Sequence, residues 1–380
     1  MRLAHLSDLH LSRYGETGTW TQRGEDEEGW EQLHAWQRWS IEGLKDKKNR
    51  PDRVRLVDPE GVVHWVKGWP KKDDKLIGSM LSLAMERHLT SSENLIKNRP
   101  APEDLSALLK VDRHNTNLLF LNLLEHLQRL TPEVIVLTGD MTDNGFGYAL
   151  IEHYLKPWID RHRLLVVPGN HDTYEMFPRK GRKARIALRE DGYKSFAEHV
   201  ECQANETGAY LRYVGDVAVV GLSSCKAPIT ILSASGEVTE DQLTWLRQLG
   251  TDRIFASARL RIALLHHHIL RMPFELTGRQ PIEMGMRLRN AAEVMRACTE
   301  SGINMVFNGH RHHGYMVQLP GMPSVISSPS STLGCKSTDM RYVWMVDLAA
   351  RYPFPVAFPM NGRYRGMDIP EATQPKSPSE

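Results

Sequence analysis

Five short apolar runs constrain the fold of this sequence more than any other feature. They span residues 3–6, 134–137, 164–167, 262–265 and 303–307. Each run is followed by a turn containing Gly, Pro, Asn or Asp, and helical patterns lie between several of them. Short apolar runs that alternate with helical stretches are typical of α/β proteins. The sequence therefore predicts an α/β fold.

Two helices are predicted between these runs. Leucines recur at helical spacing over residues 116–130, which predicts an amphipathic helix. A second helix is expected over residues 240–249, because Thr239 and Gln242 have the spacing of a capping box. Gly250 follows as a signal for the end of that helix.

Residues 12–115 interrupt the pattern and are predicted to form a small inserted subdomain, a cap over the site or a homo-oligomer contact. Residues 53–66 contain two β-rich arms joined by the turn residues Asp58 to Gly61, which predicts a hairpin. A helix is expected at 75–89. The main domain then comprises residues 1–11 and 116–350. A Pro-rich extension covers residues 351–380, and its end is expected to be disordered.

Composition indicates an ordinary globular protein. Hydrophobic residues make up 41% of the 380 residues, charged residues 25%, and the formal net charge is +2. This balance argues against a strongly basic chain that coats nucleic acid. No apolar run is long enough to span a membrane, and the N-terminus lacks the pattern of a signal peptide, so a cytoplasmic location is expected. The four cysteines show no CxxC spacing, so neither a disulfide framework nor a thiolate zinc site is indicated.

Each apolar run ends, within one to four residues, on groups that can bind a metal. In chain order these groups are Asp8 and His10, Asp140, Asn170 with His171 and Asp172, His266 to His268, and His310 with His312. The carboxyl ends of strands in an open α/β sheet meet at one crevice. We therefore expect these side chains to converge there.

The types of ligand suggest the chemistry. Carboxylate and amide oxygens mixed with imidazoles, without thiolates, suit manganese, iron or zinc better than calcium. The candidate ligands are too many for one ion, which implies two metal ions with a bridging carboxylate. Such a pair activates a shared water and clamps the oxygens of a phosphoryl group. The sequence therefore predicts hydrolysis of a phosphate ester.

The ordered motifs DLH, GD, GNHD, HHH and GHRH resemble those of the calcineurin-like metallophosphoesterase superfamily, nearest its cyclic-nucleotide phosphodiesterase-like branch. The resemblance covers residues 1–11 and about 116–350. It implies a four-layer α-β-β-α sandwich of two mixed sheets, with a dinuclear metal site at the strand ends. It also implies roles for individual residues: Asp8, His10 and His312 at the first metal, Asn170, His266 and His310 at the second, Asp140 as the bridge, and His171 beside the substrate.

Two departures from the family pattern stand out. Asp8 and Asp140 are 132 positions apart because of the insertion. The fourth motif, HHHILRMP, delays its proline to Pro273, which leaves the choice among the three histidines open. We favour His266, because it is the first residue after the apolar run.

Other polar residues near the motifs receive secondary roles. His5, His126 and His199 are expected to be structural, and Asp143 and Asp172 to orient ligands or form turns. His267, His268 and His313 are either spectators or substrate-facing, with His267 assigned to substrate binding. The basic run 179–189, which begins with Arg179 and Lys180, is either a solvated helix face or a rim that attracts an anionic substrate.

The expected reaction is hydrolysis of a phosphodiester by a hydroxide that bridges the two metals, with His171 stabilising charge or protonating the leaving group. A small phosphodiester, such as a cyclic nucleotide or a glycerophosphodiester, is favoured as the substrate. Two alternatives remain open. One is a metal-dependent DNA or RNA nuclease, and the other is a non-catalytic scaffold or regulatory protein that retains the metal site.

Overall fold

A computed structural model describes most of the chain. The described residues are 1–12, 15, 40–42, 53–57, 63–67, 90–111, 114–143, 145, 147–173, 190–226, 234–270, 286–335, 340–360, 363–364 and 367–368.

The described residues form both strands and helices. The strands are β1 Arg2–Leu6, β2 Ser40–Glu42, β3 Arg53–Val57, β4 Val63–Lys67, β5 Val134–Thr138, β6 Leu164–Val167, β7 Ala209–Val214, β8 Val217–Leu222, β9 Leu260–Leu264, β10 Met305–Asn308, β11 Tyr315–Val317, β12 Ser324–Ser327, β13 Tyr342–Asp347, β14 Pro355–Pro359, β15 Arg363–Tyr364 and β16 Met367–Asp368. The helices are α1 Ser92–Lys97, α2 Pro102–Val111, α3 Thr116–Leu130, α4 Tyr148–Tyr154, α5 Lys156–Ile159, α6 Asn170–Thr173, α7 Glu190–His199, α8 Glu240–Thr251, α9 Arg253–Ser257 and α10 Ala291–Glu300.

Two mixed sheets form the centre of the fold. The first has five strands in the order β14-β13-β1-β5-β6, and the second has six in the order β11-β12-β10-β9-β8-β7. Strands β1, β5 and β6 are parallel neighbours, as are β8, β9, β10 and β12. The other strands of both sheets pair antiparallel. All five apolar runs lie in or against the parallel parts, which confirms the predicted α/β fold.

The two sheets pack face to face between layers of helices. Val217 and Val219 of β8 belong to the apolar cluster that joins the sheets, and Ala218 and Val220 belong to the cluster under α8 and α10. On β1, the His5 ring packs against Phe307 of β10, with ring centroids 4.7 Å apart. The opposite face of β1 is buried in the cluster that includes the leucines of α3. This alternation produces the four-layer sandwich that the resemblance implied.

The two helices predicted between the apolar runs are present. Helix α3 has the expected bounds, and Asn115 caps it by accepting a hydrogen bond from the backbone N–H of Leu118. Thr239 caps α8 by accepting from Gln242 N–H. The prediction that Gly250 ends α8 is wrong, because this helix continues to Thr251. A Cβ on Gly250 would lie 2.8 Å from the Cα of Ser301, so this glycine permits close packing.

Parts of the insertion and of the C-terminal extension join the main fold. The hairpin is confirmed by antiparallel pairing of β3 with β4, and the predicted helix at 75–89 lies outside the described residues. Leu95 of α1 and Leu105 of α2 lie in the main core. Strand β14, in the extension, is the edge of the first sheet. Residues 369–380 lie outside the described residues, and a role for the insertion as cap or oligomer contact stays a prediction.

No helix within the described ranges has the length and apolar character needed to cross a membrane.

Candidate metal centre

The site lies where strands of both sheets end. Asp8 and His10 follow β1, Asp140 follows β5, and Asn170 and His171 begin α6 just after β6. On the second sheet His266 follows β9, and His310 and His312 follow β10. The predicted convergence is therefore present, because the parallel strands of both sheets deliver their carboxyl ends to one place.

A first cluster is formed by Asp8, His10 and His312. The Nε2 atoms of His10 and His312 lie 3.0 Å apart. Asp8 Oδ1 lies 3.5 Å from His312 Nε2 and 4.0 Å from His10 Nε2. Asp8 and His10 are buried. The three side chains thus direct an oxygen and two nitrogens at one point.

A second cluster is formed by Asp140, His266, His310 and Asn170. His266 Nε2 lies 3.1 Å from His310 Nδ1 and 3.0 Å from Asn170 Oδ1. The same nitrogen lies 3.3 Å from Asp140 Oδ2. All four side chains are buried.

Asp140 connects the two clusters. Its Oδ2 atom lies 3.3 Å from His266 Nε2 in the second cluster and 4.0 Å from His10 Nε2 in the first. Its Oδ1 atom accepts a hydrogen bond of 2.9 Å from the backbone N–H of His171. One carboxylate oxygen therefore faces both groups of ligands, which is the position of a bridging ligand.

The imidazoles are fixed from behind by hydrogen bonds to the outer ring nitrogens. His10 Nδ1 bonds Asp143 Oδ1 at 2.6 Å, and His266 Nδ1 bonds the carbonyl of Thr138 at 2.8 Å. His310 Nε2 bonds the carbonyl of Met286 at 2.9 Å. Because an imidazole that donates to oxygen from one nitrogen offers a lone pair at the other, these contacts point Nε2 of His10 and His266, but Nδ1 of His310, into the site.

This donor set fits metal ions. Nitrogen atoms about 3 Å apart match the spacing that two bonds of about 2.1 Å to one shared ion would give. The carbonyl and carboxylate partners behind the rings are the usual second layer of a metal site. The two clusters match the divalent metal ions expected from the sequence, and the identity of the ions stays a prediction.

The backbone at the ligands is strained. Asp8, His10, Asp140, His310 and His312 have positive φ angles of 52°, 49°, 50°, 75° and 52°. Left-handed backbone is uncommon for residues other than glycine and costs about 1–3 kcal/mol in each case. It re-aims each side chain directly after its strand. Five of the seven predicted ligands share this feature, which no sequence pattern had indicated.

Two glycines let the ligand loops approach each other. A Cβ on Gly309 would lie 1.8 Å from Ser7 Oγ and 2.4 Å from Asp8 Oδ2. A Cβ on Gly169 would lie 2.0 Å from the backbone nitrogen of Asp140. These glycines explain why the GNHD and GHRH motifs begin with Gly.

The buried carboxylates of the site are held in their charged form. Burial raises the pKa of Asp140, but the imidazoles of His266 and His171 outweigh it and leave this pKa well below the usual range. For Asp8, burial is likewise outweighed by His312, and the pKa is lowered. Ionised carboxylates are the form that binds a cation.

The pKa values of two histidines in the second cluster are shifted in opposite directions. Burial lowers the pKa of His266, but Asp140 outweighs it and raises this pKa to about 9. Burial and the neighbouring rings of His267 and His266 hold the pKa of His310 well below its ordinary value.

His171 stands beside the clusters and is partly open to solvent. Its Nδ1 lies 3.0 Å from Asp143 Oδ1, the oxygen that also bonds His10, and its side chain is 24% exposed. Burial lowers the pKa of His171, but Asp140 and Asp143 outweigh it and raise this pKa to about 10. The contact with Asp143 occupies Nδ1 and leaves Nε2 free of that carboxylate.

Asp143 and Asp172 have the supporting roles that were predicted. Asp143 orients two imidazoles, as described above. Asp172 accepts hydrogen bonds from the backbone N–H groups of Met141, Thr142 and Gly169 and from the hydroxyl of Tyr148. It therefore ties the loop after β5 to the start of α6.

Of the three predicted substrate-binding residues, His267 is the one that the structure describes. His267 is fully buried, with Nδ1 bonded to Ser224 Oγ and Nε2 bonded to the carbonyl of Ala234. Both ring nitrogens are used, so the substrate role assigned to His267 is corrected to a structural one. Arg179 and Lys180 lie outside the described residues. His5 is structural as expected, since it is buried with Nε2 bonded to Thr138.

A serine-rich segment supports the first cluster and was missed in the sequence. Ser330 Oγ donates to the carbonyl of Asp8 at 2.6 Å, and Thr332 Oγ1 donates to the carbonyl of Leu9 at 2.8 Å. Ser331 N–H donates to the carbonyl of Ser7. The run SSPSST follows the short apolar stretch of β12, so a sixth strand end could have been recognised by the same reasoning.

Comparison with protein families matches the site. Residues 112–314 match the model of the calcineurin-like phosphoesterases, and this range covers just over half of the chain. It contains Asp140 and the GNHD, HHH and GHRH motifs. The chain belongs to the calcineurin-like phosphoesterase family, which confirms the resemblance of its motifs.

One curated protein shows a low sequence identity to this chain. The chain is 26% identical over 204 residues to a probable cyclic nucleotide phosphodiesterase of Fibrobacter succinogenes, a match that covers 53% of this chain and 65% of the relative. The chain therefore spans less than two thirds of that protein's length.

Solved structures of phosphatases are also similar. A dimetal phosphatase from Danio rerio matches 65% of this chain and 88% of its own, with 12% identity and a TM-score of 0.43. A purple acid phosphatase from yellow lupin matches 60% of this chain and 44% of its own, with 12% identity and a TM-score of 0.39.

Proposed function

We propose that this chain is a metal-dependent phosphoesterase that hydrolyses a small phosphodiester, of the cyclic nucleotide or glycerophosphodiester type. The observation that carries the proposal is the position of Asp140 Oδ2 between two clusters of buried ligands. Asp8, His10 and His312 would hold one ion, Asn170, His266 and His310 the other, and Asp140 would bridge them. Bound there, the ions would supply an activated water and neutralise charge on the phosphoryl oxygens.

The chain's own residues complete the chemistry. Asp143 holds the His171 ring by Nδ1, which leaves Nε2 to donate a proton to the departing oxygen. The backbone N–H of His171 fixes Asp140 at the same time. One short segment thus positions the bridging carboxylate and the acid together.

The preference for a diester is supported by two features. The curated relative in Fibrobacter succinogenes is described as a probable cyclic nucleotide phosphodiesterase. The His171 imidazole, which Asp143 holds beside the clusters, is placed to protonate the poor alkoxide leaving group of an unactivated diester. The basic run 179–189, which supported the nuclease alternative, lies outside the described residues.

A substrate panel tests the proposal. The full-length protein is assayed with manganese, iron, zinc or magnesium on phosphomonoesters, cyclic nucleotides, glycerophosphodiesters and single-stranded DNA. Small diesters should have the highest kcat/KM, and that value should depend weakly on salt. A preference for DNA with a steep salt dependence would indicate a nuclease instead. Failure on every ester with every metal would leave only a scaffold.

A further inference from the structure

A cavity of about 760 Å³ lies at the opposite end of the strands from the metal centre. Its walls come from the start of β9, the start of β10, the turn before β12, and the turn between β13 and β14. The volume falls within the range of about 300–1,000 Å³ that is typical of sites for small molecules. Nothing in the reaction proposed above uses this cavity.

The cavity is lined by cations. Arg259, Arg261 and Arg351 line it, and no Asp or Glu does so. Arg259 is neutralised, because its guanidinium forms two contacts with Asp216. No ion pair to Arg261 or Arg351 is formed within the described part of the chain. Two uncompensated guanidinium groups therefore face one concave space.

Arg261 carries a buried group without a partner. Its Nη1 donates to the carbonyl of Ala256 at 3.0 Å. Its Nε is buried, and no described residue accepts a hydrogen bond from it. Gly302, at φ +70°, makes room for this guanidinium, since a Cβ there would lie 3.3 Å from Arg261 Cζ. The carbonyl of Ala256 and the backbone at Gly302 thus hold the Arg261 side chain in the wall of the cavity.

The rim adds exposed apolar surface. Tyr352 is 77% exposed and Met322 is 48% exposed, and both line the cavity. The Arg351 guanidinium lies over the Tyr352 ring, 5.4 Å from its centroid. Guanidinium groups bind phosphate through paired N–H donors, and they stack on planar rings as tyrosines do. The cavity thus pairs an anion-binding wall with a platform for a planar ring.

We propose that this cavity is a second binding site, separate from the metal centre, for a phosphorylated small molecule with a planar ring, of the nucleotide class. Arg261 and Arg351 bind the phosphate, and Tyr352 stacks on the ring.

Fluorescent AMP carrying a methylanthraniloyl group on its ribose is the probe. Its binding to the full-length protein is followed by fluorescence anisotropy. Each variant is tested twice, once in the parent protein and once combined with Asp140→Asn. Arg351→Ala should weaken binding about tenfold, and Arg261→Gln by at least as much. Arg296→Ala, which removes an exposed arginine of α10 outside the cavity, is the matched control and should change nothing.

Further variants and competitors test the ring-stacking role of Tyr352 and the location of the site separately. Tyr352→Ala should weaken binding of the probe, while Tyr213→Ala, at another exposed tyrosine, should not. AMP should displace the probe better than inorganic phosphate or adenosine. Loss of binding in Asp140→Asn alone would place the probe at the metal centre and overturn the proposal. Unchanged binding in Arg351→Ala, an exposed position where folding is not at risk, would overturn it as well.

Discussion

His171 has the surroundings expected of a proton donor. It contacts Asp143 through Nδ1 and is more open than the ligands of the second cluster, which are fully or almost fully buried. Among the described residues, His171 forms a group of its own with His10 and Asp143, beside the two ligand sets of Asp8, His10 and His312 and of Asp140, His266 and His310. Its role should therefore be separable from metal binding.

Replacing His171 with Gln tests that separation. The metal content should stay the same, because His171 contributes no atom to the two ligand sets. The kcat should fall by about 10²–10⁴-fold with alkyl diesters and much less with an aryl diester, whose leaving group needs no acid. Metal analysis and kcat for both kinds of substrate check this. Equal losses for the two would remove His171 from the acid role.

His5 gives a prediction about stability. Burial lowers the pKa of His5 from 6.5 to about 3. The unfolded chain therefore takes up a proton between these pH values that the folded chain does not, and the free energy of unfolding falls as pH drops below 6.5. One such group accounts for a loss of about 1.4 kcal/mol per pH unit.

The variant His5→Gln should show a weaker loss of stability than the parent. Urea unfolding at neutral and mildly acidic pH gives, for each protein, the slope of the free energy of unfolding against pH. The Gln amide can still form a hydrogen bond with Thr138, so the substitution keeps that contact. Parallel slopes for the two proteins would show that His5 does not titrate as described.

At the scale of the element, the loops after the strands determine the site. Each ligand lies two to four residues after the end of a parallel strand, and five of the ligands have left-handed backbone. The loop after β10 lies against the loop after β1 at Gly309, where a Cβ would meet both Ser7 and Asp8. The geometry of the first cluster therefore depends on this close approach.

Gly309→Ala should separate these two loops. The added methyl would collide with Ser7 and with the Asp8 carboxylate, so the two loops must move apart. The affinity for metal should then fall by about one to two orders of magnitude, the effect of disturbing groups that orient ligands. Metal titration of the full-length variant measures it. Gly192→Ala is the control, since a Cβ there meets only Tyr148 at 3.7 Å and lies in helix α7. Equal affinity in both variants would contradict this account of the loops.

Sequence patterns predicted the elements well where the cause was local. Buried parallel strands are continuous apolar runs, and the cap at Thr239 lies within its own helix. Gly250 was misjudged because the close neighbour that explains it, Ser301, lies 51 positions away. The Nδ1 orientation of His310 is set by the carbonyl of Met286, and this contact too is invisible to a motif.

At the scale of the whole molecule, two sheets contribute to one centre. The first sheet supplies Asp8, His10, Asp140 and Asn170, and the second supplies His266, His310 and His312. Strands β1 and β10 pack face to face through His5 and Phe307, which keeps their ends in register. The motif order predicted the ligands, but only the packing of the sheets shows that Asp140 lies between them. The substrate role was wrongly assigned to His267 for the same reason. Only the fold shows that His266, and not His267, contacts the other ligands of the second cluster.

The proposed function requires that one carboxylate joins two ion sites and that both ions are needed for hydrolysis. Manganese titration of the metal-stripped protein, with hydrolysis of bis(p-nitrophenyl) phosphate followed in the same samples, tests both requirements. We expect two ions per chain, and activity that rises only as the second ion binds. A single ion per chain, or full activity at one equivalent, would rule out a bridged pair of ions.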